Sequence, residues 1–250
     1  MGTSVVIISK DQEASLPPML AALRAQLPDA SRVWVLDRCT DGSLGYLLGE
    51  HETTVTKSKG RGFEAGAARN LGLAAVDEGY DVLFLDGDRV PAGLSHELLA
   101  AALDLYDFTL VKAEKDKGRP WFAEGFVENP AMGMFWNSFY TCGTLARAPS
   151  IKEVQALNHG NLFNPLLNGA YGCEDLYLGD MAYHIGLSCG GFPASCYLKG
   201  EVGVLDGDYK RFRMEEQHEL RTNLRLLLRH KPDAAAPDIR RDMRSRLRGR

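Results

Sequence analysis

Cysteine is scarce in this chain, and its spacing pairs none of it. The five cysteines (Cys39, Cys142, Cys173, Cys189, Cys196) are odd in number and form no C-x-x-C pair. That argues against a disulfide framework or a thiolate zinc site and fits a reducing, cytoplasmic setting. Long apolar runs are also lacking. No stretch of 18 or more apolar residues occurs, so no transmembrane helix is expected. The opening MGTSVVIISK has no basic segment ahead of its short apolar run, so it reads as a strand and not as a signal peptide. Position 6 is Val where myristoylation prefers Ser or Thr, which makes Gly2 a poor acceptor. Internal repeats are absent: the two Asp-Gly-Asp triplets, at 86–88 and 206–208, have unlike flanks.

What remains is a chain of 250 residues, 45% hydrophobic and 25% charged, with the composition of an ordinary globular protein. The net charge of −4 is unevenly spread. Residues 209–250 hold 13 Lys/Arg and 6 Asp/Glu, a net of +7, which leaves −11 on residues 1–208. An acidic body with a basic tail suggests a polyanionic neighbour, a membrane surface or nucleic acid.

Hydrophobic periodicity alternates between strand and helix. Residues 4–9, 32–37, 53–58, 81–88 and 107–115 read as strands. Between them, 15–27 (with Ser15 as N-cap), 44–52, 64–79 and 92–106 read as helices. This order predicts an α/β fold, a Rossmann-like, mostly parallel sheet flanked by helices. From about 116 to 170 there is no clear period, only aromatics, Gly and Met, including Trp121, Phe122, Trp136, Phe139 and Tyr140. Helical spacing returns at 171–187, and LRTNLRLLLRHK (220–231) is a basic amphipathic helix candidate. The expected organisation is a body at 1–208, divided near 115, followed by a basic helical tail at 209–250.

The chemistry concentrates at strand ends. DVLFLDGD is the strongest strand, and it closes on Asp86 and Asp88. Two carboxylates one residue apart at a strand mouth can share one pocket and suit Mg²⁺ or Mn²⁺, usually beside substrate phosphates. Taken alone the triplet is also an ordinary turn. Asp37 ends the second strand and is followed by Asp41-Gly42-Ser43. Further on stand Ala68-Arg69-Asn70-Leu71-Gly72 and Gly172-Cys173-Glu174-Asp175-Leu176.

In that order and spacing these motifs resemble the family 2 glycosyltransferases, which have the GT-A nucleotide-sugar fold. The resemblance spans roughly residues 4–190. It implies an inverting, metal-dependent transfer of a sugar from a nucleoside-diphosphate sugar, a UDP-sugar first, to an acceptor hydroxyl. By that resemblance Asp37 contacts the base, Arg69 lies near the nucleotide, and Asp86 binds ribose or the metal. Asp88 ligates Mn²⁺ or Mg²⁺. Of the Glu174–Asp175 pair, Asp175 is the general base. Arg38 departs from the pattern, since many members carry a second Asp there, and this leaves the nucleotide open. A late histidine of the family is replaced here by Asp206, which either approaches the metal or belongs to a hairpin turn with Asp208. His184 and His218 are the rival candidates.

Three alternatives stand beside this reading. GRGFEAG (60–66) imitates a dinucleotide loop, but its spacing is G-x-G-x-x-x-G and the strand before it is polar. A nucleotidyltransferase lacks support in the first loop, ISKDQEASLPP, and the intact Asp86, Asp88 and Asp175 argue against a noncatalytic scaffold. For the acceptor, a surface glycan or lipid-linked saccharide fits a tail with Leu224, Leu227 and Leu228 on one side and Arg221, Arg225 and Arg229 on another. Modified DNA, glycosylated on a hydroxymethylated base, is the alternative.

Overall fold

Alternation within the first strand sets the layering. β1 (Thr3–Ser9) is buried along nearly its whole length. Val5 and Ile7 face one hydrophobic cluster, while Val6 and Ile8 face another. A strand that must be apolar on both faces belongs in the middle of a sheet covered on both sides. In the computed structural model, which describes residues 2–59, 64–114, 124–128, 142–164 and 174–200, that is where it lies.

β1 pairs in parallel with β2 (Ser31–Asp37) on one side and with β4 (Asp81–Asp86) on the other. β3 (Thr53–Lys57) extends the parallel set beyond β2. Past β4 the sheet turns mixed. β9 (Thr144–Ala146) runs antiparallel between β4 and β6 (Phe108–Leu110). β10 (Cys189–Gly191) lies parallel to β6, and β8 (Val127–Glu128) closes the edge. The order is β3-β2-β1-β4-β9-β6-β10-β8, and a second sheet runs β5-β11-β7, with β5 at Val90–Ala92, β7 at Lys112–Ala113 and β11 at Tyr197–Lys199. Strands from before and after residue 116 therefore interleave in both sheets.

One face is covered by α1 (Leu16–Gln26), α2 (Ser43–Gly49) and α4 (His96–Leu105), through Leu16, Met19, Leu20, Leu23, Leu47 and Leu99. The other carries α3 (Ala65–Leu73), α5 (Ala148–Leu157) and α6 (Glu174–His184), through Ala65, Ala68, Ile151, Val154, Leu178 and Ala182. α3 lies very close to the sheet. A Cβ on Gly72 would come within 2.5 Å of Val6 Cγ1 and 2.8 Å of Val35 Cγ2, so the glycine of the Ala-Arg-Asn-x-Gly motif is there for contact distance.

The structure corrects several boundaries. Ser15 precedes α1 by position, but its side chain makes no capping bond. The helix expected from residue 92 starts at His96 and is capped by Ser95, whose hydroxyl accepts from Leu98 N–H, and Val90–Ala92 is a strand instead. The strand expected at 107–115 divides into β6 and β7, which join different sheets. The segment without a period contains α5, whose Ala148 N–H is held at 2.8 Å by Asp81 at the start of β4. The cap comes from a distant strand, and the one local start signal is Pro149 in the first turn. No helix among the described residues is long and apolar enough to cross a membrane. Trp121, Phe122, Trp136, Phe139, Tyr140, Asp206, Asp208, His218 and the tail at 209–250 lie outside the described residues, as does the side chain of His184.

Candidate active site

The chain runs β1, β2, β3 in one direction and then places β4 on the other side of β1. Winding reverses there, and in open α/β sheets the crevice at the carboxyl ends of strands about such a point is where ligands bind. Asp37 ends β2 and Asp86 ends β4, with the end of β1 between them. Gly87 N–H donates to Ile8 C=O at 2.8 Å, which pins the Asp-Gly-Asp turn against β1. Gly87 does not adopt a positive φ. Its missing side chain is a matter of room, because a Cβ there would lie 3.0 Å from Ser9 Cβ and 2.8 Å from Gln12 Oε1.

At the end of β4 the sequence motifs converge on one guanidinium. Arg69, on α3, is buried. Its Nη2 donates to Asp86 Oδ1 at 2.7 Å, and its Nη1 reaches Glu174 Oε1 at 3.4 Å and Asp175 Oδ1 at 3.7 Å. Residues 105 positions apart in sequence thus share one ion cluster. Burial alone would weaken the guanidinium's charge, but the carboxylates of Asp86, Asp175 and Glu174 outweigh it, and its pKa is raised. The close approach of α3 and α6 makes this contact possible: a Cβ on Gly66 would meet Glu174 Cβ at 3.1 Å.

Sequence reasoning missed what lies beneath the cluster. The Arg69 guanidinium sits 5.8 Å from the ring centroid of Phe163, which packs edge-on against Phe84 at 5.6 Å. Asn70 holds that ring in place from α3: its Nδ2 donates to Phe163 C=O at 2.7 Å, and its Oδ1 accepts from Phe163 N–H at 3.0 Å. Asn70 was visible beside Arg69 in the motif; Phe163 carried no signal in the sequence. Cys142 is a second neighbour of the cluster. Burial, and then the charge of Asp86, push its thiol pKa well up, so it stands there as a neutral group.

Asp86 and Asp88 keep 30% and 20% of their side chains exposed, respectively. Two partly exposed carboxylates at a strand mouth are an all-oxygen donor set suited to a hard divalent cation. Asp86 gives Oδ1 to Arg69, and Asp88 Oδ1 lies 3.9 Å from Arg89 Nε. Among the described residues, one guanidinium facing Asp86, Glu174 and Asp175 leaves the cluster with an excess of negative charge. A bound cation would offset that excess, so the residues fit Mn²⁺ or Mg²⁺.

The end of β2 is organised differently. Asp37 is fully buried, and its carboxylate accepts four bonds. Arg38 donates from Nε to Oδ1 (2.8 Å) and from Nη2 to Oδ2 (3.3 Å), Lys57 Nζ to Oδ1 (3.3 Å), and Glu64 N–H to Oδ2 (3.3 Å). Burial would raise the carboxyl pKa, but the bonds from Arg38 and Glu64 and the charge of Lys57 hold it below its ordinary 3.8. Lys57 also meets Glu64 Oε2 at 2.6 Å. Arg38 has a φ of +52°, a left-handed conformation that costs a non-glycine residue roughly 1–2 kcal/mol. Its N–H is held by Lys57 C=O at 2.9 Å. Asp41, of the D-G-S triplet, ties loops together, accepting from Glu13 N–H at 2.9 Å and Ser43 N–H at 3.1 Å.

Neither a protein-family model nor a curated protein sequence matches the chain. Solved structures do. The TarS 1–349 structure from S. aureus in complex with UDP-GlcNAc superposes with a TM-score of 0.66 at 17% identity, over 98% of this chain and 72% of that one. The mannosyltransferase PcManGT from Pyrobaculum calidifontis, with GDP-Man and Mn²⁺, gives 0.64 at 14% identity, over 98% and 68%. Glucosyl-3-phosphoglycerate synthase from Mycobacterium tuberculosis, with Mg²⁺ and UDP, gives 0.56 at 14% identity, over 93% and 81%. The chain has the GT-A glycosyltransferase fold. The GT-A fold accounts for the parallel β3-β2-β1-β4 half, the mixed strands beyond it, and the crevice between them.

Proposed function

We propose that the chain is a metal-dependent inverting glycosyltransferase of the family 2 type, moving a sugar from a nucleoside-diphosphate sugar to an acceptor hydroxyl. The observation that carries this reading is the convergence of Arg69, Asp86, Glu174 and Asp175 on one crevice of a GT-A sheet. The complexes of the structural neighbours, with UDP-GlcNAc, GDP-Man with Mn²⁺, and UDP with Mg²⁺, support a nucleotide-sugar donor and a divalent cation.

In this reading Asp86 and Asp88 hold Mn²⁺ or Mg²⁺, which neutralises the diphosphate leaving group when bound. Asp175 takes the proton of the acceptor hydroxyl as that oxygen attacks the anomeric carbon, and the diphosphate departs on the opposite face. Arg69 holds Asp86 and Asp175 in fixed relation, so the carboxylate facing the leaving group and the one facing the acceptor are oriented by the same side chain. Glu174 shares the guanidinium with Asp175 and completes its surroundings. Asp206 stays a candidate third ligand in place of a late histidine.

A surface glycan or lipid-linked saccharide, reached at a membrane face by the basic tail, is the acceptor of the main reading, with the protein cytoplasmic and peripheral. The tail's net +7 also favours, as a second reading, a hydroxymethylated DNA base. Hydrolysis of a panel of nucleotide sugars with Mn²⁺ tests the reaction. We expect turnover by the wild type, loss of the metal response in Asp88→Ala, and a rate reduced about 10²–10⁴-fold in Asp175→Asn. Absence of metal-dependent donor binding or turnover throughout would overturn the reading. Adding lipid-linked saccharide or hydroxymethylated DNA then separates the acceptors by product.

A further inference from the structure

Gln12 reaches the Asp-Gly-Asp turn from the loop after β1, and no motif in the sequence marked it. Ser9, the last residue of β1, is buried, and its hydroxyl donates to Gln12 Oε1 at 3.1 Å. A Cβ on Gly87 would lie 2.8 Å from that same Oε1 and 3.0 Å from Ser9 Oγ. The Gln12 amide therefore fills the room that Gly87 leaves, beside the turn that carries Asp86 and Asp88. With its oxygen engaged by Ser9, the amide has its nitrogen left, and Nε2 makes no hydrogen bond among the described residues. Gln12 is partly exposed, at the mouth of the crevice.

The loop under the amide is fixed. Asp11 N–H donates to Cys39 Sγ at 3.3 Å, and Glu13 N–H donates to Asp41 Oδ2 at 2.9 Å. Gln12 C=O accepts from Ser15 N–H at 2.9 Å. Backbone bonds on three successive residues, and the Ser9 hydroxyl on the side chain, set the amide in place before any ligand arrives. A preset N–H donor is effective where negative charge develops, because nothing has to reorganise as the charge appears. An amide also brings no charge of its own. It adds nothing to the surplus negative charge around Arg69, and it leaves a cation at Asp86 and Asp88 unopposed.

We infer that Gln12 is a catalytic residue of the leaving group, its Nε2 donating a hydrogen bond to the diphosphate of the sugar donor beside Asp86 and Asp88. This rests on the nucleotide-sugar reading above. As the bond from the anomeric carbon to the diphosphate oxygen breaks, its electron pair leaves with the diphosphate. The acceptor oxygen forms the new bond to that carbon, and its proton passes to Asp175. The diphosphate gains one negative charge in this step, and the amide N–H meets that charge without giving up a proton. The contact therefore strengthens as the bond breaks, which is the condition for a hydrogen bond to raise the rate and not only the affinity.

Two variants of the full chain test this. Gln12→Glu keeps the shape and an oxygen for Ser9 but exchanges the N–H donor for a carboxylate. Gln12→Met keeps the length and is neutral. Calorimetry with Mn²⁺ alone, and with UDP and GDP in the presence of Mn²⁺, is set beside hydrolysis of the nucleotide-sugar panel, and circular dichroism checks folding. In both variants we expect the preferred diphosphate to bind more weakly and its sugar to be hydrolysed about 10–100-fold more slowly, the range for losing a bond to a charged group. Mn²⁺ alone should bind Gln12→Met as it binds the wild type. Wild-type diphosphate affinity and hydrolysis in both variants would overturn the inference and leave the transferase reading in place. So would an effect confined to Gln12→Glu, which is then repulsion by the new charge, or a loss of Mn²⁺ binding in Gln12→Met that matches the loss of diphosphate binding, which makes Gln12 a support of the turn. A wild type that binds no diphosphate would overturn both.

Discussion

The ends of β2 and β4 both gather ionised side chains, yet their charges are composed differently. At β2, Arg38 and Lys57 face Asp37 and Glu64, two cations against two carboxylates. At β4, among the described residues, Arg69 faces Asp86, Glu174 and Asp175 together. A cluster balanced among its described members can hold a side chain in position. A cluster with surplus negative charge at the mouth of a crevice is suited to receive a cation. In the proposed reading the two ends of one sheet divide the labour: one orients a donor-rich side chain, and the other would provide oxygen ligands and a base.

Removing the guanidinium from the unbalanced end should have the largest effect. In Arg69→Met the carboxylates of Asp86, Glu174 and Asp175 are left crowded in a largely buried site. Breaking a buried pair by deleting one partner costs about 3–5 kcal/mol. Since Asp86 is 30% exposed, the lower part of that range is expected in urea unfolding. Arg69→Lys should recover only part of the loss. One ammonium cannot reach Asp86 on one side and Glu174 and Asp175 on the other as Nη2 and Nη1 do. Equal stability in the methionine variant and the wild type would mean that the cluster is held by packing alone, and the contrast with β2 would fail.

Next in size is the support under that cluster. Asn70→Ala deletes both bonds to the Phe163 backbone and leaves its N–H and C=O without those partners, a cost of about 2 kcal/mol. Because Phe163 carries the Arg69 guanidinium, donor turnover should fall with stability. A variant that loses stability and keeps full turnover would show that the loop around Phe163 is only structural.

What the sequence made legible follows the range of each interaction. Strands β1, β2 and β4 were visible because alternate residues along them face two apolar clusters, β3 as a short β-branched run with only Val55 against one of them, and the helices between them because their buried faces recur at helical spacing. Arg69, Asp86, Glu174 and Asp175 were visible as motif residues. Their meeting on one guanidinium was not, since nothing local connects positions 69 and 174. α5 was missed although Pro149 stands in its first turn, since its cap comes from Asp81 in β4 and not from a neighbouring residue. Asp37 stood out as a strand-end acid expected to meet a base, but a sequence does not show that Arg38, Lys57 and Glu64 N–H occupy its oxygens.

The smallest effect expected belongs to the balanced end and is a matter of pH. Asp37 is held below its ordinary 3.8, so its ionised form contributes stability that is fully present above that pH and is lost as pH falls through the folded value. Arg38→Met removes two of the four bonds to the carboxylate. Lys57 and Glu64 N–H remain, and Arg38 is partly exposed, so the loss near pH 7 should be about 1 kcal/mol. Once Asp37 is protonated in both proteins there is no charge left for Arg38 to pair with. The difference between wild type and variant in urea unfolding should therefore shrink as pH is lowered from 7 toward 3. A difference that stays constant across that window would mean that Arg38 supports β2 through packing of its stem, and that the ion pair contributes nothing of its own.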